Sequence, residues 1–217
     1  MIREAVLSEV DFAAMRAAMV ASQLRTSDVN DSAVIAAMLR IPREDYVPAE
    51  RRETAYVDRP IPLGNGRAIN PPLATGRLLT VAEIAPGDKV LLLNDATGYS
   101  SALLDAMGAV VTAVDEADRP ATLPAAVTWV QGRAEQGHAE GAPYDVVLID
   151  GAVEEIPDAL KAQLVDGGRI VAGLDERGVT RLVAGRKIGD AVGFVNLADL
   201  EMVRAAGFRV RPREFTF

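Results

Sequence analysis

The stretch VLLLNDATGYSSALL, Val90 to Leu104, decides the fold. Its opening apolar run suits a strand covered on both faces, Asn94 to Gly98 make a small-residue turn, and the residues from Tyr99 onward read as a helix. A strand that passes through such a turn into a helix is the first unit of a doubly wound α/β sheet. In these sheets ligands gather outside the carboxyl ends of the strands. Downstream the β-rich runs recur as AVVTAVD (109–115), VTWVQ (127–131), DVVLID (145–150) and GGRIVAGL (167–174), separated by helical or glycine-rich stretches. The tail differs. TRLVAGRK, the Ile188-Gly189-Asp190 turn and AVGFVNLAD read as an antiparallel hairpin, and FRVRPREFTF (208–217) as a last extended segment. The expected fold is therefore α/β, a mostly parallel sheet with an antiparallel C-terminal end.

Upstream, the APGD turn (Ala85 to Asp88) divides a helical preface with a loop segment, 1–84, from the core, 85–217, the two together reading as one compact domain. Asp11 to Leu24 has helical spacing through Phe12, Met15 and Met19, fading at Ser22. Asp31 to Leu39 follows with Asp31 as N-cap. Met15, Met19 and Met38 read as helix core. Five prolines from Pro48 to Pro72, with Gly64 and Gly66, leave no room for long elements, yet the segment is too apolar for a disordered linker. It reads as an ordered lid or substrate wall.

Composition excludes several chemistries. The chain of 217 residues has no cysteine, and His138 is its only histidine, so neither thiolate chemistry nor a multi-His metal site is expected. A net charge of −8 opposes tracking of nucleic acid phosphates. MIREAVLSEVDFAAMRAAMV holds no apolar run long enough for a signal or a membrane span, which points to the cytoplasm. His138 in QGHAEG reads as a surface loop residue, and Trp129 as strand core.

The turn itself departs from a dinucleotide loop: the three glycine positions of GxGxxG hold Asn94, Ala96 and Tyr99, with Gly98 out of register. A mononucleoside cofactor without a pyrophosphate, such as S-adenosylmethionine, asks less of a helix N-terminus. Asn94 accepts a positive φ, whereas Ala96 puts a methyl group where close backbone approach is wanted. Asp115 lies roughly 20 positions on, the spacing of a ribose-binding acid, although a solvated strand-end acid has the same signature. Two readings also stand for Asp150 (ligand contact or cap), Tyr99 (pocket or core), and Arg43 with Asp58 (lid orientation or a local ion pair).

Taken together, MVASQLR (19–25), DSAVIAAM (31–38), IPREDYVP (41–48), AYVDRPIPLGNGRAINPP (55–72), PGDKVLLLNDATGYSSALL (86–104), AVVTAVDE (109–116), YDVVLIDGAVEEIPDAL (144–160) and QLVDGGRIVA (163–172) resemble the protein-L-isoaspartate O-methyltransferase family, in particular its divergent alphaproteobacterial-type branch. The resemblance implies a Rossmann-like class I methyltransferase fold. It also implies transfer of a methyl group from S-adenosylmethionine to the free carboxylate of isoaspartyl residues, which starts repair through a succinimide. Such a reaction needs alignment and exclusion of water more than a general base.

Carried over residue by residue, the resemblance assigns Asn94, Ala96, Gly98, Tyr99, Asp115 and Arg133 to the cofactor, Ala68, Ile69 and Pro72 to the substrate, and Asn70 to catalysis. Several of these depart from the family pattern. Leu92 stands at an acidic position and Asn94 and Ala96 at glycines. Gly132-Arg133 replaces a Gly-Asp pair, and Ala68-Ile69-Asn70 a Thr-Ile-Ser run. Pro120 and Pro124 shorten and interrupt the helix expected after Asp115. Three functions stay open: an isoaspartyl methyltransferase, a non-catalytic binding module with a degenerate loop, or a methyltransferase for another carboxylate or small acceptor. Monomer and homodimer are equally compatible with the sequence.

Overall fold

A computed structural model describes residues 10–208, so residues 209–217 of the FRVRPREFTF segment and the first nine residues of the chain lie outside the described part. Helix α1 (Phe12–Met19) starts where Asp11 accepts the Ala14 N–H at 2.9 Å. The helical path continues beyond it as one π turn, Val20–Leu24, and a 3₁₀ turn, Arg25–Ser27. The Ser22 and Thr26 hydroxyls donate back to the Ala18 and Ser22 carbonyls, a competition with the main-chain ladder that loosens a helix. Helix α2 (Ser32–Arg40) is capped by Asp31, which accepts from the Ala33 and Val34 N–H groups at 2.9 Å.

The proline-rich segment forms 3₁₀ turns and a short antiparallel hairpin, β1 (Ile61–Gly64) and β2 (Arg67–Ile69). Gly64, Asn65 and Gly66 all take positive φ at its tip. Helix α3 (Pro72–Ala82) follows. Pro71 and Pro72 have no N–H, and Asp58 accepts the next one, from Leu73, at 3.0 Å. Asp58 is thus a helix cap supplied from the lid.

The main sheet contains β3 (Lys89–Leu93), β4 (Val110–Asp115), β5 (Thr128–Gln131), β6 (Tyr144–Val153), β7 (Leu164–Glu176), β8 (Val179–Ile188) and β9 (Ala191–Asp199). Their spatial order is β5-β4-β3-β6-β7-β8-β9. The pairs from β5 to β7 are parallel, and β8 and β9 close the sheet as an antiparallel hairpin. The hairpin turn is Gly189-Asp190, with Ile188 opposite Ala191 and Gly189 at φ 58°, the positive value that a two-residue turn asks of glycine. Helix α4 (Tyr99–Ala106) joins β3 to β4 and α5 (Asp158–Ala162) joins β6 to β7. The sheet is Rossmann-like, as expected.

Two local expectations are corrected. No helix joins β4 to β5. Residues 116–127 form turns in which the Pro120 and Pro124 carbonyls accept from Leu123 and Val127, because prolines so closely spaced cannot sustain a helical ladder. Strand β6 also does not end at Asp150. It runs to Val153 through a register slip between Leu148 and Ala152, with Gly151 at φ 150°.

Side chains alternate across β3. Val90 and Leu92 join a cluster with Met19, Leu24, Met38 and Leu78 from the helical preface, whereas Leu91 and Leu93 pack with Val147, Ile149 and Leu160 on the other face. Leu92 is therefore a core residue. No helix among the described residues is long and apolar enough to cross a membrane.

Candidate functional site

The loop after β3 is held by its own side chains. Asn94 takes φ 67°, and its amide bridges two elements: Nδ2 donates to the Asp150 carbonyl at 2.7 Å and Oδ1 accepts the Ala206 N–H at 2.9 Å. Gly98, at φ 83°, opens α4, and a Cβ there would lie 3.3 Å from Leu123. Asp95 accepts the Gly98 and Ser101 N–H groups at 3.1 and 3.0 Å, satisfying donors that the first turn of α4 leaves free. Burial pushes the Asp95 carboxyl up to about 7. Bonds from Ser101 pull it down, and the nearby Asp150 and Asp115 push it further up. Ala96 and Thr97 form the partly exposed tip of the loop.

A second cluster centres on Asp150 at the β6 bulge. Asn70, which follows β2, donates from Nδ2 to Asp150 Oδ1 at 2.7 Å, and Ser100 of α4 donates to Oδ2 at 2.6 Å. Asn70 Oδ1 accepts the Val203 N–H at 2.9 Å, so this one side chain ties the lid, β6 and the C-terminal segment together. Asp150 caps no helix. Burial raises its pKa, while Ser100, Asn70 and the Arg43 charge oppose the shift.

Arg43 lies beneath this cluster at 0% exposure. It donates to the Ala55 carbonyl at 2.8 Å and the Asn70 carbonyl at 2.6 Å, and its guanidinium sits 5.0 Å from the centre of the Tyr99 ring. It is neither a solvated residue nor half of a local ion pair. Burial lowers its pKa, opposed chiefly by Tyr99 and Asp150. Tyr99 is 1% exposed and packs in the core cluster, tilted against Tyr46. Ile69 is buried in β2 opposite Ile61, Ala68 faces Pro62, and Pro72 is buried at the start of α3.

Asp115 ends β4. Arg67 of β2 reaches both of its oxygens, donating from Nη1 at 2.7 Å and also from Nη2, and the Ala117 N–H adds a third donor at 2.9 Å. A cavity of about 190 Å³ opens beside this pair, lined by Asn65, Arg67, Glu116, Ala134, Ala206 and Gly207 as well as Asp115. The half-exposed Arg133 guanidinium pairs with Glu135, and its neighbour Ala134 supplies the wall.

Arg67 was not singled out in the sequence. Its only signal there is a basic residue immediately after the Gly64-Asn65-Gly66 tip, within reach of an acid at a strand end. Ser100 and Asp95 were missed for a related reason, since polar residues in and just before the first turn of a helix ordinarily cap it. Arg16, Glu44 and Tyr56 form a further unforeseen cluster, with Arg16 donating to Tyr56 at 2.8 Å and to Glu44 at 2.9 Å and the Tyr56 hydroxyl donating to Glu44. It ties the lid to α1.

Residues 202–207 cross the carboxyl ends of the strands. Val203 accepts the Ala152 N–H at 2.8 Å and Ala205 donates to the Ala152 carbonyl at 2.9 Å. A Cβ on Gly151 would lie 2.9 Å from the Val203 carbonyl oxygen, so glycine is what lets this strap lie down. The chemistry assembled here suits a nucleoside: a carboxylate at a strand end, a loop with two left-handed residues, and a cavity between them.

The comparisons with known proteins bear on the same residues. A family model described as Protein-L-isoaspartate(D-aspartate) O-methyltransferase (PCMT) matches residues 15–204. A protein-L-isoaspartate O-methyltransferase of Koribacter versatilis (strain Ellin345) is 36% identical over 205 residues, covering 90% of this chain and 92% of its own. Among solved structures, a protein-L-isoaspartate O-methyltransferase gives a TM-score of 0.74 at 19% identity, over 90% of this chain and 66% of that one. A putative protein-L-isoaspartate O-methyltransferase from Plasmodium falciparum, in complex with S-adenosyl-L-homocysteine, gives 0.72 at 17% identity, over 92% and 100%. At these identities the two structures show a shared fold.

Proposed function

The chain belongs to the protein-L-isoaspartate(D-aspartate) O-methyltransferase family, and we propose that it transfers a methyl group from S-adenosylmethionine to the carboxylate of isoaspartyl residues in damaged proteins. The observation that carries this reading is the family match over residues 15–204, which encloses every side chain of the two clusters described above. The cofactor supplies an activated methyl group. Asp115 would hold its ribose hydroxyls, with Asn94, Ala96, Gly98 and the buried Tyr99 shaping the loop beneath it and Ala134, the neighbour of Arg133, closing one side. The donor set fits a nucleoside, although the cavity of about 190 Å³ is smaller than the roughly 300–1,000 Å³ usual for a small-molecule site.

On the acceptor side, a carboxylate is already the nucleophile near neutral pH, so the chain's own work is to align it and keep water out. Ala68, Ile69 and Pro72 form the apolar wall for this purpose. Asn70, whose amide is held by Asp150, is the lid side chain assigned to positioning the acceptor. The acceptor is an isoaspartyl peptide or protein rather than nucleic acid, which the excess of acidic residues disfavours. A cysteine-free chain fits the cytoplasm. The apolar cluster shared between the helical preface and the sheet supports reading 1–84 and 85–217 as one folding unit.

The test is a transfer assay with methyl-labelled S-adenosylmethionine and two peptides identical except for one isoaspartyl or aspartyl residue. Base-labile label on the isoaspartyl peptide alone is expected. Absence of transfer at saturating cofactor overturns the reading.

A further inference from the structure

The acid that would meet the ribose hydroxyls is already engaged. Both Asp115 oxygens accept from Arg67, one also accepts the Ala117 N–H, and the Asp115 side chain is 3% exposed. A two-pronged guanidinium on a carboxylate is among the stronger charge-assisted arrangements, and a neutral diol would have to compete with it. Arg67 itself sits uncomfortably, because its Nε is buried with no partner. The closed arrangement therefore leaves one donor unsatisfied.

Residues of the hairpin and of the strap line the cavity beside this pair. Arg67 comes from the β1–β2 hairpin, anchored to the main sheet through its side chain. Ala206 and Gly207 come from the strap, with the Ala206 N–H on Asn94 and the Gly207 Cβ position 3.5 Å from Glu116 Oε1. The main-chain bonds of Val203 and Ala205 to Ala152 hold the strap at its other end.

We propose that Arg67 sets the cofactor affinity of this chain: it latches the hairpin onto Asp115, so that S-adenosylmethionine enters only by displacing the guanidinium and lifting the Ala206-Gly207 end of the strap. The inference rests on the reading of Asp115 as the ribose-binding acid. It makes Arg67 a competitor of the cofactor, and the binding-competent state a minority whose population scales the apparent affinity.

The test is calorimetric titration of the whole chain with S-adenosylhomocysteine, comparing the parent with Arg67→Gln and Arg67→Lys. Removing a charge-assisted pair of this kind should tighten binding about ten- to a hundredfold in Arg67→Gln, with a smaller gain in Arg67→Lys, which keeps the charge but loses the fork. Ligand should also speed amide hydrogen exchange in residues 204–208 of the parent. Thermal melting establishes that each variant is folded, and the lysine variant carries the test where the glutamine variant is not. Measurable binding by the parent with no gain in either folded variant overturns the latch and leaves the methyltransferase reading intact. No binding by any of the three at millimolar ligand overturns both.

Discussion

Replacing Asp150 by alanine should cost about 2–4 kcal/mol of stability, from the loss of two buried acceptors. In the native protein Asp150 receives Asn70 Nδ2 at 2.7 Å and the Ser100 hydroxyl at 2.6 Å, in a site where Asp150 is 9% and Asn70 1% exposed. Each donor left buried and unpaired costs about 1–3 kcal/mol. Neither donor has a helical carbonyl one turn back to turn to, because Ser100 is the second residue of α4 and Asn70 precedes α3. Relief of the desolvated carboxylate offsets part of the cost, which keeps the net below the gross sum of about 2–6 kcal/mol. Asp150→Asn should cost only about 1 kcal/mol, since its oxygen still accepts from Asn70 and its amide can donate to the Ser100 oxygen. Equilibrium urea unfolding with unchanged m-values measures both differences. In a chain of this length the alanine variant should melt about 4–16 °C lower. If Asp150→Ala is as stable as the parent, or the asparagine variant is the worse of the two, the network does not hold the lid to the sheet and the reasoning fails.

Asp95 gives a pH dependence. Its carboxyl lies near 7 in the folded protein against an ordinary 3.8, so between those values the native state keeps a proton that the unfolded chain releases. Its contribution is fully present below about 4 and is lost as pH rises toward 7, by about 1.4 kcal/mol per unit from this group alone. The stability advantage of the parent over Asp95→Asn should therefore shrink between pH 5 and pH 8 in urea titrations, and a constant gap would count against a protonated Asp95. Asp31→Ala should destabilise the protein by about 1 kcal/mol through the lost cap of α2, and a change within error would show that packing alone starts that helix. Gly98→Ala should cost about 1–2 kcal/mol through its positive φ. The added methyl group, 3.3 Å from Leu123, should also loosen the turn around Pro120, read as faster exchange at Leu123.

What the sequence determined by itself is whatever depends on local pattern. The apolar runs around Val90, Val111 and Val147 could only be strands buried on both faces, and Asp11 and Asp31 announced the starts of their helices. Gly189 marked the hairpin turn, and the conversion of Asn94 to a left-handed residue was legible from its side chain alone. The family resemblance was also legible, because it rests on ordered blocks along the chain. Only the tertiary structure decided which polar groups are spent on one another. Arg67 and Asp115 are 48 residues apart, Asn70 and Asp150 are 80 apart, and Asn94 meets Ala206 across 112. Such partnerships depend on where the hairpin and the strap land on the sheet, which no short-range periodicity encodes. The physical reason is that a buried polar group must find a partner wherever the fold leaves one, so its role is set by the surroundings it is folded into rather than by its neighbours in the chain.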